Sequence, residues 1–376
     1  MSFSQSSALK CACAALAATV LGCGPRDGSK EFEKGKEAYE LRDLKKAETL
    51  FARSVVLAPQ DADRLLYLAR TELELGELAK AQDAVGRISA DGAADVALLK
   101  AQIAWHAKDY KAAADGFAAV ANDVKLDASV RAQGWAGLGV VEMTCDNHHL
   151  ARVAFLRAIR LDRKNPAAWY HLGLLYRDGF GYLEASLEQF EIFVRLEEMA
   201  SPRVQKVQRT IIPALKEQIA RAATELPGAA KRNSSACSTS ISTAEAALKK
   251  GNAKAAREAY QQALAADPLS YPAALGLAKA WEKTDSTKAG QQKAFESYKA
   301  ACSLRSGAVS TFLVTGALAV RLGFFQQAVE IYSRAIAANP TSMDALDGLI
   351  RALRKTGGKS RVADAYQQYR DSLAKK

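Results

Sequence analysis

The sequence predicts an all-α fold built from repeated pairs of helices. Only 9 of the 376 residues are proline, and alanine recurs at the spacing that places side chains on one face of a helix. A residue pattern also returns after 34 positions, because Trp135, Leu138 and Gly139 reappear as Trp169, Leu172 and Gly173. A fixed internal period of this length indicates stacked helical units that share a continuous core.

The overall composition is that of a globular protein. Hydrophobic residues make up 49% of the chain and charged residues 25%, which excludes wholesale disorder and a polytopic membrane protein. The formal net charge is +11. This excess of positive charge favours acidic partners, anionic lipid or nucleic acid, and it does not choose among them.

Residues 1–22 have the layout of a secretory signal peptide. A polar start with Lys10 as its positive side chain precedes an uncharged apolar run of twelve residues, 11–22. A helix of that length spans about 18 Å, short of the roughly 30 Å hydrocarbon core of a bilayer, so a membrane-spanning anchor is not expected. The run therefore predicts export of the chain.

The end of this run, Val20-Leu21-Gly22-Cys23, resembles the lipobox of bacterial lipoproteins. The resemblance implies cleavage before Cys23, lipidation of that residue, and a short lipidated tail at 23–27. Attachment of more than one acyl chain gives stable anchoring. Ala15-x-Ala17 is a competing site for ordinary cleavage without lipid. Because Gly24 is not Asp, the resemblance also implies a lipoprotein of the outer membrane that faces the periplasm.

The remaining cysteines form neither a disulfide framework nor a metal site. Three of them follow Cys23, and an odd number cannot pair completely. We interpret Cys302 as a small core residue near a helix end and Cys237 as part of a linker. Cys145-Asp146-x-His148-His149 supplies fewer than the four ligands of a structural zinc site. We interpret it as a polar turn with His149 exposed, and we predict no metal.

The segment Trp169-x2-Leu172-Gly173-x2-Tyr176 resembles the opening pattern of the tetratricopeptide repeat family. The resemblance extends over nearly the whole chain after Cys23 and implies an α-solenoid, a right-handed superhelix of helix-turn-helix repeats. Nine copies are predicted, of which the second, third and ninth are degenerate. They start near 28, 62, 94, 132, 166, 237, 271, 309 and 343.

Each residue type of the repeat has a physical reason. Small residues such as Gly139 and Gly173 allow two helices to approach closely, and large residues such as Phe155 fill the space between helices. Glycines at the tight turns allow positive φ, and prolines end the second helices. The glycines are Gly76, Gly251 and Gly323, and the prolines are Pro59, Pro268 and Pro340.

Two stretches interrupt the period and divide the predicted repeats into two arrays. About five repeats occupy 28–200, and about four occupy 243–376. Residues 201–226 are predicted to form a basic amphipathic helix that Pro213 kinks or restarts. The small polar stretch 227–242 is predicted to be a linker.

No catalytic motif is present in the sequence. There is no phosphate-binding glycine loop, nucleophile elbow or His-Glu-x-x-His, and the repeats leave too few residues for a catalytic domain. We therefore predict no enzyme activity and no cofactor. Nucleic acid is not an expected partner, since the basic residues are spread along the chain and the aromatic residues occupy core positions.

In this family the concave face is lined by the first helix of each copy, and the resemblance implies a partner-binding groove there. The first array is apolar and aromatic with two arginines, whereas the second is basic. The implied groove residues are Phe32, Tyr39, Arg70, Trp105, Met143, Tyr170, Leu174, Arg177, Lys279, Arg321, Arg351 and Arg354. We expect a partner segment in the first groove and an acidic element in the second.

These features together predict an exported, non-catalytic scaffold for protein–protein interaction. It is expected to be anchored in the outer membrane by lipid alone, to bind a peptide segment or another envelope protein, and to assist assembly of an envelope machine. The alternative is a cell-wall protein or enzyme accessory that docks on anionic glycan through the basic C-terminal array. Steep weakening of binding by salt would favour the alternative.

Overall fold

The computed structural model describes residues 27–89, 93–198, 201–225, 232–357 and 360–374. The predicted signal peptide, Cys23 and the tail before Asp27 lie outside these ranges. The chain forms two compact units, 1–126 and 127–376, which we call the N-terminal and the C-terminal unit. The described residues contain helices and turns and no β-strand, so the predicted all-α fold is confirmed.

The N-terminal unit contains three antiparallel helix pairs. They are α1 (Ser29–Glu40) with α2 (Leu44–Leu57), α3 (Ala62–Glu74) with α4 (Leu78–Gly86), and α5 (Ala94–His106) with α6 (Tyr110–Asn122). Their shared core contains Phe51, Leu65 and Leu99, all nearly inaccessible to solvent.

The C-terminal unit contains six further pairs and one additional helical segment. The first pairs are α7 (Ala128–Thr144) with α8 (His148–Leu161), and α9 (Pro166–Leu174) with α10 (Leu183–Leu196). The additional segment comprises α11 (Pro202–Lys206) and α12 (Ile212–Glu225). The remaining pairs are α13 (Ser234–Lys249) with α14 (Ala253–Ala266), α15 (Tyr271–Thr284) with α16 (Lys288–Leu304), α17 (Val309–Leu322) with α18 (Phe325–Ala338), and α19 (Met343–Lys355) with α20 (Ser360–Ala374). The nine pairs in the described ranges are numbered here as copies one to nine.

Side-chain caps determine where many of these helices begin. An Asp, Asn, Ser or Thr side chain accepts a hydrogen bond from a backbone N–H of the first turn, which satisfies a donor that the helix itself cannot use. These residues are Asp43, Asp61, Asp109, Asn165, Asn233, Asn252, Ser270, Thr287 and Ser342. In the degenerate copies, capping by Asp61 therefore helps set the start of copy two, and capping by Asp109 the start of the second helix of copy three.

The turn inside a copy uses left-handed backbone, with or without glycine. Gly76, Gly251 and Gly323 have φ of 78°, 73° and 82°, as predicted. In three other copies the same turn is made by residues with side chains, for which this backbone costs about 1–2 kcal/mol. They are Arg42, Lys108 and Asp146.

Helix α11 continues through a π-helical turn, Val207–Ile211, directly into α12. The wide turn precedes Pro213, which has no N–H to donate to the preceding turn. Val204, Val207 and Leu215 point into a core with Phe190 and Phe193 of α10. The segment is therefore amphipathic, as its periodicity predicts.

The linker prediction for 227–242 needs a correction in its second part, while residues 227–231 lie outside the described ranges. Helix α13 begins at Ser234, because the Asn233 side chain caps it by accepting from the N–H of Ala236. Cys237 is only 4% exposed and packs against Ala263 and Ala273. The small side chains that resemble a linker in the sequence instead permit close packing in copy six. Cys302, by contrast, is buried in α16 as predicted.

The compact units divide at a different place from the two predicted arrays. Copies four to nine lie on both sides of 227–242 and belong to one unit. The physical reason is a contact between copies that are distant in sequence, since α20 of copy nine packs on α8 of copy four. At the edges of this contact Arg361 pairs with Glu142 at 2.6 Å, and Arg157 donates to Gln368 at 3.0 Å.

A buried arginine lies at the centre of this contact. Arg152 of α8 has 0% relative exposure; its Nε donates to Oη of Tyr366 at 2.6 Å and its Nη1 donates to the Ser333 carbonyl at 3.0 Å. The guanidinium carbon also lies 4.7 Å from the ring centroid of Phe180. Among the described residues no carboxylate pairs with Arg152, so neutral acceptors and aromatic faces hold its charge.

Candidate partner-binding surfaces

The first-helix surface of the N-terminal unit carries an aromatic cluster. Phe32 and Tyr39 of α1 both make edge-on contacts with Tyr67 of α3, with centroid distances of 5.4 and 6.2 Å. The Tyr39 hydroxyl donates to the carboxylate of Glu74. Burial, together with that carboxylate, raises the pKa of Tyr39 to about 12, so the hydroxyl stays a donor at neutral pH.

Charged groups surround this cluster. Lys36 lies over the Phe32 ring at 5.1 Å, and Arg70 pairs with Asp95 at 3.5 Å. Trp105 lies farther along, half-buried on α5 and edge-on to the His106 ring at 4.7 Å. The structure therefore brings Phe32 and Tyr39 into one aromatic cluster and places Arg70 and Trp105 on the following first helices.

In copy five the predicted groove residues contribute substantially to intramolecular packing. Tyr170 and Leu174 are half-buried in the core formed with α10 and α11. The guanidinium of Arg203 lies over the Tyr170 ring at 5.2 Å. Arg177 pairs with the neighbouring Asp178 at 2.6 Å, and Met143 of copy four is half-buried against the core. The amphipathic segment thus covers part of the predicted apolar surface of this unit.

The first helices of copies seven to nine present exposed basic side chains. Lys279 is on α15, Arg321 on α17, and Arg351 and Arg354 on α19, and all four are exposed. Arg321 lies 3.4 Å from Glu282, and Arg354 lies 3.9 Å from Asp364. Lys279 and Arg351 form no ion pair with any described residue, so their charges are available to a partner.

These helices also enclose an open cleft of about 450 Å³, lined in part by Val314, Arg321 and Arg351. Val314, in the middle of its helix, is 40% exposed. The cleft therefore combines an apolar contact with the guanidinium of Arg351 and with that of Arg321, which pairs with Glu282 in the same cleft. Such a surface suits a segment with apolar and acidic side chains.

Sequence reasoning missed three members of these surfaces. Tyr67 connects the Phe32 and Tyr39 rings, and its position three residues before Arg70 could have indicated it, since i and i+3 share a helix face. Val314 gave no signal, because exposure of one apolar residue depends on its neighbours. Arg203 belongs to the additional segment, whose docking on copy five cannot be derived from the repeat pattern.

A buried carboxyl group with an unsatisfied oxygen lies in the N-terminal unit. Glu72 of α3 is 6% exposed, and its Oε2 has no hydrogen-bond partner among the described residues. Burial, reinforced by the carboxylate of Glu48, raises the pKa of Glu72 to about 7 from 4.5. Lys80, which pairs with Glu48 at 2.8 Å, partly opposes that shift. This group makes the stability of the unit sensitive to pH near neutrality.

In the segment Cys145–His149, residues 145–147 form the turn between α7 and α8, and His148 and His149 begin α8. His149 is half-buried, with its ring 5.3 Å from Phe180 and 6.0 Å from Tyr366, so the expectation of an exposed His149 is wrong. Contact with copy nine covers it. In the described ranges, no group of three or more His, Cys, Asp or Glu residues is arranged to hold a metal ion.

The same part of the chain contains no helix with the length and apolarity needed to cross a bilayer. Helix α17 illustrates the reason, since its 14 residues are too few for a span.

Comparisons with known proteins find both similar sequences and similar structures. One relative is the TPR repeat-containing protein YvcD of Bacillus subtilis strain 168, 38% identical over 66 residues, which are 18% of this chain and 14% of that protein. The chain therefore matches only a small part of this relative's length. A thermophilic TPR protein of Thermus thermophilus is 19% identical, with a TM-score of 0.44, over 50% of this chain and 99% of its own. The PilF protein of Pseudomonas aeruginosa is 13% identical, with a TM-score of 0.39, over 69% of this chain and 98% of its own.

The family model described as tetratricopeptide repeat matches residues 32–93, 242–307 and 313–375. The matched segments contain the degenerate second and ninth copies, and they leave 94–241 unmatched although helix pairs of the same kind occur there. Together they cover just over half of the sequence, and the chain therefore belongs to the tetratricopeptide repeat family.

Proposed function

We propose that this protein is an exported, lipid-anchored and non-catalytic scaffold that binds segments of partner proteins on its first-helix surfaces. The observation that carries the proposal is that the first helices of the repeats expose apolar, aromatic and basic side chains. Among the described residues of copies seven to nine, Arg351 forms no ion pair and shares a cleft with exposed Val314, and Lys279 is a second exposed cation without an ion pair. Arginine and apolar groups of this kind carry much of the energy of protein interfaces.

Export and anchoring rest on the sequence of the first 23 residues. The test is metabolic labelling with palmitate, followed by membrane fractionation of the wild type and of Cys23→Ala. We expect labelled, membrane-bound wild type and an unlabelled variant released from the membrane. A variant that stays membrane-bound, with no lipid on the wild type, would refute the anchor.

Partner binding by the first helices is tested with a matched pair of charge reversals. Arg351→Glu changes an exposed residue on a first helix, and Lys254→Glu changes an exposed residue on the second helix of copy six. Partners are recovered by cross-linking in intact cells and identified by mass spectrometry. We expect Arg351→Glu to lose partners that Lys254→Glu retains, and equal recovery of every partner by both variants would contradict the proposal.

The alternative is docking on anionic glycan through the basic first helices of copies seven to nine. It is supported by the exposure of Lys279, Arg321, Arg351 and Arg354. Sedimentation with isolated cell-wall sacculi distinguishes the two functions. Glycan docking predicts co-sedimentation that falls steeply with salt, because exposed charges are screened within about 10 Å at 0.1 M ionic strength.

A role in the assembly of an envelope machine is the finer part of the proposal. The expected partners are therefore other envelope proteins, and recovery of cytoplasmic proteins alone would argue against it.

A further inference from the structure

The beginning of the described chain is fixed to one end of α2. Oγ of Ser54 donates to the Gly28 carbonyl at 2.9 Å, and Nη1 of Arg64 donates to the Asp27 carbonyl at 2.5 Å. Arg64 is 7% exposed and also pairs with Asp61 at 3.0 Å. A buried arginine and a buried serine thus hold residues 27 and 28 in place, next to the last turn of α2.

That last turn exposes two adjacent apolar side chains. Val56 is 78% exposed and Leu57 is 43% exposed, whereas Ala47, Phe51 and Val55 of the same helix are buried. A methyl group on Gly28 would lie 3.2 Å from Cβ of Leu57, which shows how close the fixed chain start is to this turn. We call Arg53, Val56 and Leu57 the α2 edge.

Positive charge accompanies the apolar pair. Arg53 lies one turn before Val56 on the same exposed side of the helix and forms no ion pair with any described residue. Arg87 is exposed, and its Nη2 reaches the carbonyl of Pro59 at 3.4 Å. Apolar side chains flanked by cations match the interface of a membrane with anionic lipid, where acyl chains lie beneath negative headgroups.

The short distance to the proposed lipid anchor favours a membrane as the partner of the α2 edge. Asp27 is the fourth residue after Cys23, so the two Cα atoms are at most about 14 Å apart. The headgroup layer of a bilayer is about 5–8 Å thick on each side. An acylated Cys23 would therefore keep the α2 edge within reach of the headgroup layer.

We propose that the α2 edge is a membrane-contact surface, in which Val56 and Leu57 enter the lipid interface and Arg53 meets anionic headgroups. This inference rests on the proposed lipidation of Cys23. The acyl chains supply the anchoring, and the edge fixes the orientation of the N-terminal unit on the bilayer. Helix α2 is about 20 Å long, so its other end is held away from the lipid.

The test uses full-length lipidated protein reconstituted in vesicles of phosphatidylethanolamine and phosphatidylglycerol. A nitrobenzoxadiazole probe is attached at Val56→Cys or, as the control, at Leu41→Cys, both in a Cys145→Ser background because Cys145 is exposed. Leu41 is 81% exposed and lies in the turn at the opposite end of the same helix pair. Neither substitution removes a core side chain, so both variants should fold. Mass spectrometry confirms the lipid, and nitroxide-labelled lipid quenches any probe within the bilayer interface.

We expect the probe at Val56 to shift to shorter wavelength and lose emission to the quencher, while the probe at Leu41 stays unquenched. Two outcomes on lipidated protein would contradict the membrane-contact surface: quenching of the Leu41 probe as strong as that of the Val56 probe, or no quenching of either. In both cases the proposed lipid anchor would be retained. If mass spectrometry finds no lipid on Cys23, both the anchor and this inference fail.

Discussion

The close approach of the two helices in copy four makes a quantitative prediction for Gly139→Ala. A methyl group at this position would stand 2.5 Å from Cε1 of Phe155, whose ring has 0% relative exposure and cannot move into solvent. Alanine in a helix gains about 1 kcal/mol over glycine, whereas overpacking of this kind costs about 1–3 kcal/mol. We therefore expect net destabilisation of about 1 kcal/mol.

Gly173→Ala is the matched control in the next copy. There the nearest ring atoms, those of Phe190, would lie 3.1 Å from the methyl group. A small ring shift relieves that contact, so the propensity gain should leave Gly173→Ala at least as stable as the wild type. Urea unfolding followed by far-UV circular dichroism measures both variants. If Gly139→Ala proves as stable as Gly173→Ala, the small residue is not required by helix approach and the packing explanation is refuted.

Three further predictions concern stability. Arg152→Ala should lower the free energy of unfolding by about 2–4 kcal/mol, because the Ser333 carbonyl and Tyr366 lose their donor and a cavity forms. Arg152→Met should lower it less, since methionine fills the space and removes a buried charge. Equal urea midpoints for the two variants would contradict this. The raised pKa of Glu72 means that the folded state holds its proton more tightly than the unfolded state, so stability falls as pH rises from about 5 to about 8. Glu72→Gln should flatten that dependence, with a gain of at most about 3 kcal/mol at the upper end, and an unchanged slope in thermal unfolding across this range would oppose the assignment. Lys108→Gly should raise the melting temperature, because glycine removes about 1–2 kcal/mol of left-handed backbone strain, and a lowered melting temperature would show that the turn is not strained.

The helix pairs could be predicted because each is specified by nearby residues. The period that relates Trp135 to Trp169 follows from packing between sequence neighbours, and it gave the correct fold class. Asn165 and Ser342 cap helices through local hydrogen bonds. Even the degenerate copies follow the period, since helix geometry tolerates many side chains.

Contacts between distant copies could not be predicted in the same way. The pairing of Arg152 with Tyr366 joins residues 214 positions apart, and no repeat rule specifies it. That contact explains both the division of the compact units and the burial of His149. The residues around Cys237, predicted as a linker and found in a helix, show a similar limit of sequence-based prediction. Small polar residues favour a loop in isolation, but they form a tight helix interface when neighbouring helices cover them.

The predicted surface residues had mixed outcomes for the same reason. Lys279, Arg321, Arg351 and Arg354 are exposed, as their helix positions indicate. Tyr170 instead packs against residues of the additional segment. Helix position determines which face a residue occupies, and only the tertiary structure determines what covers that face. The partner-binding role of these residues stays a prediction.

Site-specific photo-cross-linking in intact cells tests the central claim most directly. A benzoylphenylalanine residue replaces Tyr39 or Arg351 on first helices, or Lys46 or Gln261 at exposed positions on second helices. The account predicts discrete cross-linked partners from the first-helix positions and none from the second-helix positions. Discrete partners from Lys46 and Gln261, with none from Tyr39 and Arg351, would contradict it.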